Sequence, residues 1–370
     1  MPPDPHRLRA MSDAGQSIWL DFLSRGLITG GGLARLIDED GVTGVTSNPT
    51  IFAKAIVGSN DYDDALARIA RRGKASPLDV FYDLALDDIR MAADLFAPVY
   101  ERTGGADGFV SFELEARLAH DARQSIAAAQ YLVDRIGRPN VMIKVPGTAE
   151  GVKVVEELTA AGINVNITLL FSVEMYWQVA LAYLAGLERR RAAGQPIDRV
   201  TSVASFFVSR IDTVVDPLLP DGSPLRGRVA IANAKRAYQH FRHLFSGARW
   251  VGLADAGARV QRPLWASTGT KNPAYSDVLY IEELIGRDTV TTVPEATLDA
   301  FRDHGRVRPG VVLEDGDEAY ATLARLADQG IALDAITAQL LDDGLAAFDA
   351  DLAKVVETIE SKLEGARSAA

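Results

Sequence analysis

The run NVMIKVP at 140–146 sets one lysine, Lys144, in an otherwise apolar stretch that reads as buried. Burial disfavours the charged form of an amine, and a neutral amine attacks carbonyls. The run alone leaves two readings open: a nucleophile, or a strand-end lysine whose stem carries its ammonium out to water. Other short apolar runs also end in polar groups. Asp21 closes SIWLD, Asn48 stands at the end of GVTSNP, Glu113 and Glu115 close GFVSFELE, and Asn166 and Thr168 fall on one side of INVNITLLF. Ser205 and Arg210 lie near the end of VTSVASFFVSR, and Ser267 lies near the end of RPLWAST. A desolvated lysine among acids suits imine chemistry on a ketose. The amine attacks the carbonyl, carboxylates move protons, and the imine is the electron sink while a carbon–carbon bond breaks. Arg210 with STGTKNP at 267–273, which contains Lys271, is a set able to hold a phosphate. Each acid taken alone reads equally well as half of a structural ion pair.

These residues need elements to position them, and the chain supplies a regular series. Apolar runs of strand length alternate with segments of helical spacing. The run before Ser172 leads into a long helix, and Thr148 is placed to cap the helix after NVMIKVP. Gly137 and Gly162 stop helices, and Ser76 with Pro77 opens another. Eight strands alternating with helices, without a GxGxxG after the first, predict an α/β fold, a (β/α)8 TIM barrel with additional helices. In such barrels catalytic side chains come from the C-terminal ends of the strands, where the polar residues above fall. The whole chain, 1–370, is expected to be one domain with a helical insertion near 50–105 and C-terminal helices from about 317. The last carries Leu345, Phe348, Leu352, Val355, Val356, Ile359 and Leu363 at helical spacing, as a lid or packing helix would. Residues 1–13 are expected to be flexible.

Some features invite chemistry and are read as structural. Gly30–Gly32 lacks phosphate-loop spacing and serves as a helix entry. Arg189, Arg190 and Arg191 end a helix and complement its dipole. His240 and His243 have no third ligand beside them and belong on a solvated helix face, so no metal site is expected.

With 48% hydrophobic and 24% charged residues the chain can bury a large core. It has no cysteine, which excludes disulfides and thiolate metal sites. The first dozen residues lack the apolar segment of a secretory signal, and no run reaches the roughly 18 to 20 apolar residues of a membrane helix. A soluble, cytoplasmic protein without membrane contact is expected. The net charge of −11 argues against nucleic-acid binding, yet permits a small anionic substrate held by a few local cations. Oligomeric state is left open, as is the choice of Met1 or Met11 as start.

GVTSNPTIF, VSFELEARLAHD, NVMIKVPGT, GINVNITLLFS, SFFVSRID, STGTKNP and TTVPEATLDAF together resemble transaldolase, in its longer bacterial form. The likeness runs from about residue 17 to about residue 345. It implies a Schiff-base (β/α)8 enzyme of the pentose phosphate pathway, with phosphorylated sugars as substrates and no metal or organic cofactor. By this resemblance Lys144 is the imine lysine and Asp21 the base for the C4 hydroxyl. Glu113 is the acid that works through a water, which Thr168 helps to hold. Asn48, Asn166 and Ser205 bind donor hydroxyls, and Arg210 and Ser267 bind phosphate. Here the seventh-strand loop reads ASTGTKN where shorter transaldolases have ASFRN, so Lys271 stands where an arginine is expected, and a lysine is a point charge rather than a bidentate fork. Glu115, where the family often has aspartate, is either an ion-pair partner of Lys144 or structural. Two alternatives are a fructose 6-phosphate aldolase, which releases free dihydroxyacetone, and a sugar-phosphate-binding protein without turnover.

Overall fold

The computed structural model describes residues 6–72 and 76–368. Eight strands close into a barrel in chain order: β1 (Gln16–Leu20), β2 (Gly44–Thr46), β3 (Phe109–Glu113), β4 (Val141–Pro146), β5 (Val165–Leu170), β6 (Ser202–Phe207), β7 (Gln261–Ala266) and β8 (Thr289–Val293). All neighbours are parallel, and β8 returns to β1 from Gln16↔Thr289 to Leu20↔Val293. This is the expected (β/α)8 barrel with additional helices. The strands β3 to β6 are buried on both faces, which is why they read as nearly continuous apolar runs.

One close approach and one buried carboxylate set the packing at the start of the barrel. A β-carbon on Gly44 would lie 2.6 Å from the indole of Trp19, its partner across β1 and β2. Only glycine leaves that ring its space. The indole Nε1 donates to Asp107 Oδ1 at 2.8 Å, and the Thr43 hydroxyl donates to Asp107 Oδ2 at 2.9 Å. Arg262 sits 3.5 Å from the same carboxylate, so a polar plug closes the N-terminal end of the barrel.

Helix ends fall where the capping residues are. Ser76, Thr148 and Ser172 accept backbone N–H bonds at helix starts, and Gly137 and Gly162 end helices in left-handed geometry. Gly30 and Gly31 join two short helices. The segment between β2 and β3 forms helices Pro49–Gly58, Asp63–Arg72 and Pro77–Arg102. Only the first two are extra, because Pro77–Arg102 packs on β3 as the barrel's own outer helix. Residues 73–75 of this segment lie outside the described residues.

The N-terminal segment departs from expectation. His6–Asp13 is helical, with Leu8 and Met11 buried between β1 and the helix Glu295–His304. Leu8 and Met11 are three residues apart and share one helix face, while Arg7 donates to the Arg302 carbonyl at 3.0 Å. Residues 1–5, and the question of the start, lie outside the described residues. His240 and His243 lie on the outer face of the helix Val229–Leu244, half-buried and exposed in turn, and both stand beside the ring of Trp177, at 5.3 Å and 6.0 Å between centroids. The three arginines are structural, Arg189 pairing with Glu156 and Glu157 and the other two bonding backbone carbonyls.

The C-terminal helix Leu333–Ser368 runs across the outside of the barrel mouth. It packs on Pro49–Gly58, Asp63–Arg72, the helix Ser209–Val215 and β5. Lys362 bonds Asp63 at 2.9 Å, and the Thr50 hydroxyl donates to Asp351. Among the described residues no helix is long and apolar enough to cross a membrane.

Candidate active site

Register brings the central groups side by side. Glu113 pairs with Lys144 across β3 and β4, and Lys144 with Asn166 across β4 and β5. Lys144 is 4% exposed, and its Nζ donates to Glu113 Oε2 at 3.0 Å and to the Ser47 carbonyl at 3.3 Å. Its head does not escape to bulk water, which rules against the snorkelling reading. Burial pushes the Glu113 carboxyl above its ordinary range, opposed chiefly by the charge of Lys144 and reinforced by Asp21. Glu113 Oε1 and Thr168 Oγ1 are both buried without a hydrogen-bond partner among the described residues.

A cleft of about 310 Å³ opens over this pair, with Asp21, Lys144, Thr168, Ser205, Arg210, Ser267 and Lys271 among its walls. Asp21 Oδ1 accepts the Thr46 hydroxyl at 2.6 Å. Asn48 lines the cleft while its Oδ1 caps the helix Pro49–Gly58 through the Ile51 N–H at 2.9 Å. Beneath the cleft Asn166 Nδ2 donates to Ser111 Oγ at 3.0 Å, and the Ser205 hydroxyl donates to Asn166 Oδ1 at 2.7 Å. That chain fixes the orientation of the amide.

Strand β6 ends at Phe207, so Arg210 projects from the short helix Ser209–Val215 rather than from the strand. Its guanidinium lies 5.2 Å over the Phe207 ring, and burial lowers its pKa against the opposing charges of Asp21 and Glu113. Ser267 follows β7 in a left-handed conformation, φ 55°. The Ser209 N–H donates to the Ser267 carbonyl at 3.1 Å and the two hydroxyls lie 3.0 Å apart. Residue Lys271 is exposed and lines the same cleft.

All ten sequence-derived site residues therefore come together, eight in the cleft wall and Glu113 and Asn166 behind it. Glu115 does not join them: it accepts from Tyr82 at 2.9 Å and from Arg117 at 2.6 Å, and its role is structural. The cleft also contains groups that sequence reasoning missed. Lys54 reaches it from Pro49–Gly58, Thr46 and Thr292 from β2 and β8, and Phe348 from the C-terminal helix. The two threonines stand at strand ends, a signal that could have found them, whereas nothing local marks Lys54 or Phe348. Lys54, Arg210 and Lys271 make no hydrogen bond or ion pair within the described residues, so a chain of net charge −11 presents three unpaired cations at one cleft. Among the described residues no group of three acids or histidines is arranged to hold a metal.

Fold and cleft together define a (β/α)8-barrel enzyme with its reactive groups at the C-terminal strand ends. The profile of the transaldolase/fructose-6-phosphate aldolase family matches residues 18–359. Transaldolase 1 of Streptomyces avermitilis is 46% identical over 363 residues, covering 97% of this chain and 96% of that protein. A transaldolase of Saccharopolyspora erythraea is 47% identical over 363 residues, 97% and 98% of the two chains. One from Thiobacillus denitrificans is 49% identical over 345 residues, 92% and 95% of the two. The chain belongs to the transaldolase/fructose-6-phosphate aldolase family.

Proposed function

We propose that the protein is a cytoplasmic transaldolase, moving a dihydroxyacetone unit from sedoheptulose 7-phosphate to glyceraldehyde 3-phosphate in the pentose phosphate pathway. The observation that carries this reading is the buried Lys144 Nζ, 3.0 Å from Glu113, at the base of a cleft rimmed by unpaired cations. The amine attacks C2 of the ketose and a carbon–nitrogen bond forms. The carbonyl oxygen leaves as water after receiving protons by way of Glu113, a carboxyl that burial disposes to carry one. Glu113 Oε1 and Thr168 Oγ1, each without a hydrogen-bond partner among the described residues, are suited to hold the water that relays them.

Asp21 then accepts the proton of the C4 hydroxyl. The C3–C4 bond breaks, its electron pair passes into the iminium to give an enamine, and erythrose 4-phosphate leaves. Glyceraldehyde 3-phosphate enters, the enamine carbon attacks its aldehyde, Asp21 returns the proton, and hydrolysis of the imine releases fructose 6-phosphate. The lysine is itself the electron sink, so the reaction needs no cofactor. Asn48, Asn166 and Ser205 are assigned to the donor hydroxyls, and Arg210, Ser267 and Lys271 to the phosphate.

Borohydride reduction in the presence of fructose 6-phosphate should add the mass of a three-carbon unit to a peptide containing Lys144. Lys144→Met should abolish both trapping and transfer; a Met variant that still moves the three-carbon unit overturns the reading. Measuring products with and without an aldehyde acceptor separates transfer from the aldolase reaction, which proceeds without one.

A further inference from the structure

Behind the cleft lie two buried aspartates that the proposed chemistry does not use. Asp212, 2% exposed, is in the same short helix as Arg210, and Asp216, 8% exposed, follows it immediately. Neither has an ion-pair partner among the described residues. Asp212 Oδ1 accepts from the Ala230 N–H at 2.8 Å and its Oδ2 from the Tyr280 hydroxyl at 2.9 Å. Asp216 repeats the pattern, with the Gly227 N–H at 3.0 Å on one oxygen and the Tyr275 hydroxyl at 2.6 Å on the other.

Both tyrosines belong to the segment between β7 and β8, the segment that also carries Ser267 and Lys271. The ring of Tyr275 leaves no room on Gly227, where a β-carbon would stand 2.9 Å from it. At the other end of the short helix the Ser209 N–H already binds the Ser267 carbonyl. Arg210 is thus held between two sets of cross-links to one loop. A buried carboxylate without a cation is costly, and burial pushes Asp212 up to about 7. Such a cost is out of keeping with a mere surface tie between loops.

We propose that Asp212, Asp216, Tyr275 and Tyr280 are positioning residues that fix the Arg210 helix against the Ser267–Lys271 loop, so that the phosphate end of the sugar meets a preset clamp. This rests on the assignment of Arg210, Ser267 and Lys271 to the phosphate. None of the four touches the reacting carbons, so their loss should be felt at the phosphate alone.

The test uses Tyr275→Phe, Tyr280→Phe and the double variant, which remove hydroxyls and keep the rings. In the double variant KM for fructose 6-phosphate should rise about tenfold, as expected for two lost hydrogen bonds, with kcat changed by less than about twofold. Borohydride trapping of Lys144 with unphosphorylated dihydroxyacetone should proceed at the wild-type rate. An unchanged KM, or a parallel loss of trapping with dihydroxyacetone, overturns the proposal. Should the double variant fail to fold, Tyr275→Phe, in a half-exposed loop position, should still raise KM about threefold. Binding of inorganic phosphate, followed by calorimetry, should weaken by a like factor in the same variants. If the wild-type protein binds phosphate but does not turn over fructose 6-phosphate, the transaldolase reading fails while this measurement still decides whether the four residues position the phosphate clamp.

Discussion

Glu113 and Lys144 form an ion pair with side chains 3% and 5% exposed, and a buried pair is dear to desolvate and dearer to break. Glu113→Gln keeps the shape and removes the proton carrier. Transfer should fall by about 10² to 10⁴, while slow trapping of the imine persists, which single-turnover rates with borohydride will show. Asp212 offers a second test at this scale. Its folded pKa stands at about 7 against an ordinary 3.8, so the folded state holds a proton that the unfolded chain has released. Stability from this group is therefore full below about 4 and is lost as pH rises through 7. Each pKa unit is worth about 1.4 kcal/mol. Asp212→Asn can keep the bond from Ala230 and should flatten the fall in urea midpoint between pH 5 and pH 8. An unaltered slope would assign that pH dependence elsewhere. Most of the site was legible residue by residue, because its groups stand at strand ends. The pairing of Glu113 rather than Glu115 with Lys144 was not: the two acids are two residues apart on one side of the chain, and only the cross-strand register decides which of them stands opposite the lysine.

Among the elements, β1 and β2 depend most sharply on a single absent side chain. Gly44→Ala would press a methyl onto an indole that is anchored by Asp107 and has nowhere to turn. A loss of about 1 to 3 kcal/mol is expected, measured by urea unfolding. Strand β5 shows another local adjustment. Its register against β6 shifts between Ile167 and Leu170, and Leu169 takes a left-handed φ of 56°. A β-carbon on Gly344 of the C-terminal helix would lie 2.8 Å from the Leu169 side chain, so the irregular strand end and the helix fit together. Strand positions and helix caps were readable, since alternation and capping chemistry are local. The bulge was not, and neither was the N-terminal helix, whose Leu8 and Met11 form too short a pattern to be told from a loose end until β1 supplies a surface.

At the scale of the whole molecule, the C-terminal helix joins the extra helices to the catalytic mouth. Phe348, 4% exposed, comes from the far end of the chain to complete the cleft wall beside Pro294 and Ile51. Phe348→Ala should cost about 3 kcal/mol of stability. It should also admit water to the enamine, raising the share of free dihydroxyacetone over transferred product severalfold. Product analysis at fixed acceptor concentration checks this, and a destabilised variant with unchanged partition would leave Phe348 a purely structural part. The unpaired Lys54, Arg210 and Lys271 make a local positive field within a negative chain, the arrangement that draws an anionic sugar to one face.

By itself the sequence determined the strand-and-helix alternation, the closure it implies, and which polar residues stand at the strand ends, because period, caps and breakers act over a few residues. The tertiary structure alone decided which acid meets Lys144, that Arg210 belongs to a helix tied to the next loop, and that Lys54 and Phe348 face the same cleft. Those outcomes depend on register and on contacts between segments far apart in the chain, where no local pattern records the partner.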